Sequence, residues 1–287
     1  MRLPTPVIAA FACFCLSTSS ATGQITHATE DDGLWLFVDT ADVPRVAQHL
    51  NHEAMFKKYV TGCNLAVLKA DDIVQAHAMD GGGYFTGMSA KPTESPIGYQ
   101  LNLFQKPLLN PPRTTSYCSG SSYAVFVEAL NLIFPGGGTR LSPERLESLR
   151  MQEPDGGRRE DKVKFWGKWN DDGWGTHYAL VQYSGMGEEI PPHRARPGDF
   201  MNISWVRGLG HSVVFLGWFM KENKIGMIFW SSQKSTNGYG DVVLWPLSNV
   251  KSVKTVRMTH PEGVFSFDVE HAVNRDLPGD RIVLPDR

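Results

Sequence analysis

Cysteine is the scarcest informative residue in this chain: there are four, and Cys13 and Cys15 stand close to the amino terminus. Without that first segment only Cys63 and Cys118 remain, too few for a disulfide framework. A single Cys63–Cys118 bridge is the one pairing left open, and it would remove any free thiol. There is no Cys-x-x-Cys pair and no His-Glu-x-x-His, and the histidines stand singly along the sequence. No metal ion and no other cofactor is therefore expected. A formal net charge of -2 lacks the basic surplus that binding a phosphate backbone requires, so nucleic acid is not an expected partner. No apolar run approaches the roughly 20 residues of a spanning helix, and no membrane span is expected.

What is present is ordinary globular composition, 41% hydrophobic and 20% charged over 287 residues, enough to bury a core in one or two domains. The opening MRLPTPVIAAFACFCLSTSSATGQ combines Arg2, an apolar stretch from Val7 to Leu16 and the small-residue end Ala21-Thr22-Gly23. It reads as a secretory signal over residues 1–23, cleaved before Gln24, and implies a secreted or periplasmic protein.

Along the rest of the chain, Leu34 to Val38 reads as a buried strand. Asp42 to Tyr59 has helical spacing, with Asp42 as N-cap ahead of Pro44, and Asn64 to Leu68 reads as a short strand. Residues 24–90 carry no chemical motif and form an N-terminal region of unassigned role. Gly81 to Pro112 is rich in turn formers, with a boundary placed near Met88 to Ser95. From Cys118 to Phe134 the apolar residues Tyr123, Phe126, Val127, Leu130, Ile133 and Phe134 share one helical face, and Gly136-Gly137-Gly138 ends the helix. Ser142-Pro143-Glu144 opens a shorter helix. Gln152 to Asp172 is polar and glycine-punctuated and reads as a surface excursion. Phe200 to Trp205, His211 to Phe219, Ile225 to Trp230, Val242 to Trp245 and Val253 to Met258 are β-prone runs separated by turns. Helix first and antiparallel strands afterwards make an α+β arrangement, with a domain over 91–260 and a C-terminal tail over 261–287.

Cys118 falls at a helix start, where unpaired N–H groups and the positive dipole end stabilise a thiolate. Ser119-Gly120-Ser121-Ser122 beside it is too polar for a core. Much later comes Arg196-Pro-Gly-Asp-Phe200, then Gly208-Leu-Gly-His211-Ser-Val-Val-Phe-Leu-Gly-Trp218, which sets a histidine at the first residue of an apolar strand. Such a ring suits a general base. Cys-Ser-Gly opening a helix, followed in order by Pro-Gly-Asp-Phe and His-Ser-Val-Val-Phe-Leu-Gly, resembles the NlpC-type branch of the papain-like cysteine peptidases and amidases.

The resemblance covers about Tyr99 to Met258 and implies a papain-like core, a helix bearing the nucleophile Cys118 packed on an antiparallel sheet bearing the base His211. It places an orienting residue on the next strand, where Ser231, Ser232 and Gln233 are the candidates, and Gln233 has the amide oxygen to accept a ring N–H. A turn at Glu222-Asn223 pairs Lys221 with Lys224, and that register sets His211 opposite Lys234. Tyr117 stands where the family often has Asp, a change expected to alter substrate contacts near the thiol. Phe165, Trp166, Trp169, Trp174 and Tyr178 would elaborate a cleft or pack a loop onto the core. Tyr99 would lie near the cleft, and Arg113 would meet a substrate carboxylate or sit on the surface. The implied activity is cleavage of peptide or amide bonds in peptidoglycan stem peptides through a thioester. An acyltransferase or deamidase using the same thioester, and a non-catalytic wall-binding module on the same fold, are the other readings.

Overall fold

The computed structural model describes residues 35–86, 95–154, 165–166 and 173–284. The expected signal over 1–23, most of the boundary near Met88 to Ser95, and Trp169 lie outside these residues.

The architecture is α+β. Six antiparallel strands form the main sheet: β3 (Gly187–Ile190), β4 (Asp199–Trp205), β5 (Gly210–Lys221), β6 (Lys224–Gln233), β7 (Gly238–Leu244) and β8 (Val250–Met258), in the order β3-β8-β4-β5-β6-β7. A small hairpin, β1 (Leu101–Leu103) and β2 (Lys106–Leu109), stands apart. The helices are α1 (His52–Phe56), α2 (Cys63–Ala76), α3 (Cys118–Ile133), α4 (Pro143–Ser148) and the short α5 (Gly175–His177), which continues as a π-helical turn over Tyr178–Tyr183. Among the described residues no helix is long and apolar enough to cross a membrane.

The five β-prone runs fall in strands, except that Trp245 lies just past the end of β7, because their apolar residues alternate between two buried faces. Val214, Leu216, Ile228, Trp230 and Val256 pack with α2 and α3 in the larger core. Met201, Val213, Phe215, Trp218 and Phe229 fill the smaller core on the opposite face.

The N-terminal reading needs three corrections. Asn64 to Leu68 is the first part of helix α2, not a strand; a five-residue apolar run does not distinguish the two, and packing against α3 decides it. Asp42 to Tyr59 is not one helix. Asp39 caps a 3-10 turn at Thr40–Asp42 by accepting from the Ala41 amide, and Asp42 instead accepts from the Tyr59 hydroxyl and pairs with Lys58. Helical structure resumes only at His52. The Leu34 to Val38 strand reduces, within the described residues, to a single bridge between Phe37 and Trp218.

Of the surface excursion read over Gln152 to Asp172 few residues are described; among them Gln152 is buried against that reading, while Phe165 and Trp166 pack onto the core, edge-on or tilted against Tyr123, Phe126 and Phe200. The serines after Cys118 are buried as well, because α3 is enclosed nearly all round rather than on one face. The C-terminal tail is fastened down: Val253 and Asp280 exchange both backbone bonds, and Phe267 enters the core.

The Gly198-Asp199 pair owes its place to a buried ion pair. Asp199 is fully buried and accepts two hydrogen bonds from the Arg257 guanidinium at 2.8 and 2.9 Å, one from the Asn64 amide at 2.8 Å and one from the Arg196 backbone at 2.8 Å. One carboxylate thus joins β4, β8 and the start of α2. Removing it strands a half-buried cation, at a cost of about 3–5 kcal/mol. Asp199→Ala should therefore lower the urea unfolding midpoint sharply, and a loss below about 1 kcal/mol would show the pair to be dispensable.

Candidate active site

Cys118 is the first residue of α3, preceded by Tyr117 in an extended conformation, and the first intrahelical bond runs from the Ser121 amide to the Tyr117 carbonyl. Neither Cys118 nor Cys63 is in a disulfide, so the bridge left open by the sequence is not formed. The helix start is held by close approach. A Cβ on Gly120 would lie 1.8 Å from the Pro96 carbonyl oxygen, so no side chain fits there. The glycine of Cys-Ser-Gly is a packing requirement.

The serines of the same turn fix the helix on the sheet. The β5–β6 ladder runs from the hairpin to Val214–Trp230 and stops. Beyond that point the Ser121 hydroxyl accepts the Ser232 amide at 3.0 Å, the Ser231 hydroxyl donates to the Ser212 carbonyl at 2.7 Å, and the Ser122 and Ser212 hydroxyls bond at 2.7 Å. The helix start therefore takes the place of ladder bonds at the end of the two strands. This is how polar residues come to be buried: each hydroxyl has a partner.

His211 is buried beside this junction, its ring flanked by Phe229 at 5.5 Å and Trp205 at 6.3 Å. The register between β5 and β6 differs from the simple hairpin count. Lys221 does pair with Lys224, but Leu216 is an extra residue, so Phe215 pairs with Phe229 while Gly217 pairs with Ile228. Continued past the bulge, the shifted register brings Gln233 rather than Lys234 opposite His211. Gly217 at the bulge has φ +154° and leaves room for Val38, which a Cβ would strike at 2.5 Å.

His211 Nε2 lies 3.3 Å from Gln233 Oε1. The orientation of that amide is set by its other end, since Gln233 Nε2 donates to the Gly240 carbonyl at 3.1 Å and also to the Thr236 hydroxyl. A carbonyl can only accept, so Oε1 must face the ring and the ring nitrogen facing it must carry the proton. Nδ1 is then the basic nitrogen. The other two candidates are engaged elsewhere, Ser231 on Ser212 and Ser232 on the Ser116 hydroxyl at 2.8 Å.

His211 and Gln233 line a cleft of about 580 Å³, together with Tyr84, Trp205, Arg207 and Phe229. Tyr84 joins the cleft to Cys118: it bridges to Ser116, two residues before the thiol. Burial first, and the neighbouring Cys118 charge second, hold its phenol above the usual range.

The remaining candidates are placed as follows. Tyr117 turns inward, buried, with its hydroxyl accepting from Gln152. Trp166 is a core residue donating to Ser122, and Trp174 and Tyr178 hold the C-terminal tail through the Leu277 and Arg275 carbonyls. Tyr99 stacks on His77 at 3.6 Å and lines a different cavity with Glu128 and Asn131, further along α3. Arg113 lies over the Phe85 ring at 5.0 Å.

Sequence reading also missed a polar cluster. His49 and His52, taken as scattered histidines, stack at 4.3 Å and share the carboxylate of Asp241. Only the fold joins them, because Asp241 lies far along the chain on β7.

Comparison with family models, with curated proteins and with solved structures returns no match for this chain.

The hydrogen-bond geometry fixes one observable. In two-bond nitrogen–proton NMR, His211 should show the Nε2–H tautomer, and Gln233→Ala should give a mixture of the two. An Nδ1–H ring in the parent protein would overturn the assignment.

Proposed function

We propose that this chain is a secreted papain-like cysteine hydrolase of the NlpC type, with Cys118 as nucleophile, His211 as base and Gln233 orienting the imidazole. The observation that carries the reading is the fixed Gln233 amide, which leaves His211 Nδ1 as the proton acceptor in a cleft whose Tyr84 wall adjoins Cys118. The chain order supports it too: nucleophile helix α3, then the Gly198-Asp199 strand, the histidine strand and the strand ending in Gln233.

Nδ1 takes the thiol proton, and the resulting thiolate attacks the carbonyl carbon of an amide. The first-turn amides of α3 and the positive end of its dipole favour the oxyanion. The imidazolium, held by the Gln233 oxygen, returns its proton to the leaving amine, and water then hydrolyses the thioester. Trp205, Phe229 and Tyr84 offer apolar walls, and Arg207 a cation at the cleft for a substrate carboxylate. A peptide is the substrate class these groups suit, and peptidoglycan stem peptides follow from the family resemblance and the expected export.

Purified protein incubated with peptidoglycan should release stem-peptide fragments detectable by mass spectrometry, and Cys118→Ala should slow release by about 10⁴-fold or more. Equal release by the two proteins would sink the proposal. An added amine recovered joined to the acyl group would mark a transferase instead.

A further inference from the structure

Away from the cleft, the densest set of titratable side chains lies where the segment Ala47–His52 crosses β7. His49 Nε2 and His52 Nε2 converge on the Asp241 carboxylate at 2.8 and 3.0 Å, one on each oxygen. His52 Nδ1 rests on Asp72 at 2.7 Å, and Asp72 is itself held by the backbone amides of His52 and Glu53. Asp71 completes the group. It is fully buried, neither carboxylate oxygen has a hydrogen-bond partner, and it interacts electrostatically with His52, Asp241 and Asp72.

Asp71 is buried among these groups with no hydrogen-bond partner, and a polar group left so is costly. A cation would offset it. The ligand atoms of His49, His52 and Asp72 already lie within 4.8 Å of one another. His52 has a carboxylate at each ring nitrogen, so an ion taken up on the Asp72 side would leave the far nitrogen donating to Asp241, the support metal-binding histidines use.

We propose that His49, His52 and Asp72, backed by Asp241 and the buried Asp71, form a binding site for a divalent transition-metal cation of the zinc type. Two imidazoles with carboxylates and no sulfur suit such an ion better than calcium or magnesium, which prefer oxygen throughout. On binding, the proton between His52 Nδ1 and Asp72 leaves for solvent and the ion takes its place. His49 Nδ1 would then give its lone pair to the ion, so its contact with the Asn51 amide at 3.2 Å has to lengthen.

The ion would act as a fastener. Ala47 accepts the Asp241 amide at 2.8 Å, and the Gln48 amide donates to the Thr236 and Tyr239 carbonyls at 2.9 and 3.2 Å. These residues flank Gly240, whose carbonyl orients Gln233. The proposal does not depend on the hydrolase reading, because its test measures binding alone.

The test uses the full chain carrying Cys118→Ser, so that the active-site thiol cannot compete, freed of metal with a chelator and titrated with zinc chloride by calorimetry. One equivalent should bind with proton release and a rise in Tm. Affinity should fall at mildly acidic pH, as protons compete for the same atoms. Asp72→Asn and His49→Gln should each weaken binding by about ten-fold or more. X-ray absorption of the zinc-loaded parent should show a nitrogen and oxygen shell with two imidazoles, a readout that holds if a variant fails to fold. No saturable binding by the folded parent, unchanged affinity in both variants, or a sulfur ligand would each overturn the site and leave a proton-bridged network.

Discussion

The interaction on which the site depends is the insertion of the first turn of α3 between the ends of β5 and β6. Ladder hydrogen bonds stop at Val214–Trp230, and Ser121 and Ser122 bond Ser232 and Ser212 in their place. Such a junction is specific, because buried hydroxyls and amides left unpaired each cost about 1–3 kcal/mol. The helix start can therefore settle in few ways. The result places Cys118 at the sheet end that carries His211, and the same constraint explains why Gly120 has no side chain and why Trp166 donates its indole N–H to Ser122.

A second constraint comes from the far edge of the sheet. The amide of Gln233 is oriented by Gly240 and Thr236; Gln48 holds Thr236, and Ala47, His49 and His52 hold Asp241 next to Gly240. Residues with no recognisable motif thus support the partner of His211. Through α2 the same region also contributes Val67, Leu68 and Val74 to the larger core. Its contribution is structural support reaching the site from outside it.

Much of the strand layout was legible because alternating apolar residues have one stable arrangement against a core, and the period leaves little choice of face. The helix from Cys118 was legible for the same kind of reason. Asn64 to Leu68 was not, since a short apolar run fits helix and strand alike until its neighbours are known. Burial of Ser119, Ser121, Ser122 and Gln152 was hidden as well, because composition prices polar groups as exposed and takes no account of partners far along the chain. The bulge at Leu216 was invisible in a hairpin count that assumed an unbroken ladder.

The sequence by itself determined the α+β order of elements, the helix-start position of Cys118, the strand-start position of His211 and the scarcity of cysteine, all of which are local or compositional properties. Tertiary structure alone decided that Cys63 and Cys118 are not bridged, that Gln233 faces His211 with its oxygen, and that His49, His52, Asp71, Asp72 and Asp241 come together. The physical reason is distance along the chain: a hydrogen-bond partner or a compensating charge brought in by a sheet neighbour leaves no periodic trace in the sequence on either side of it.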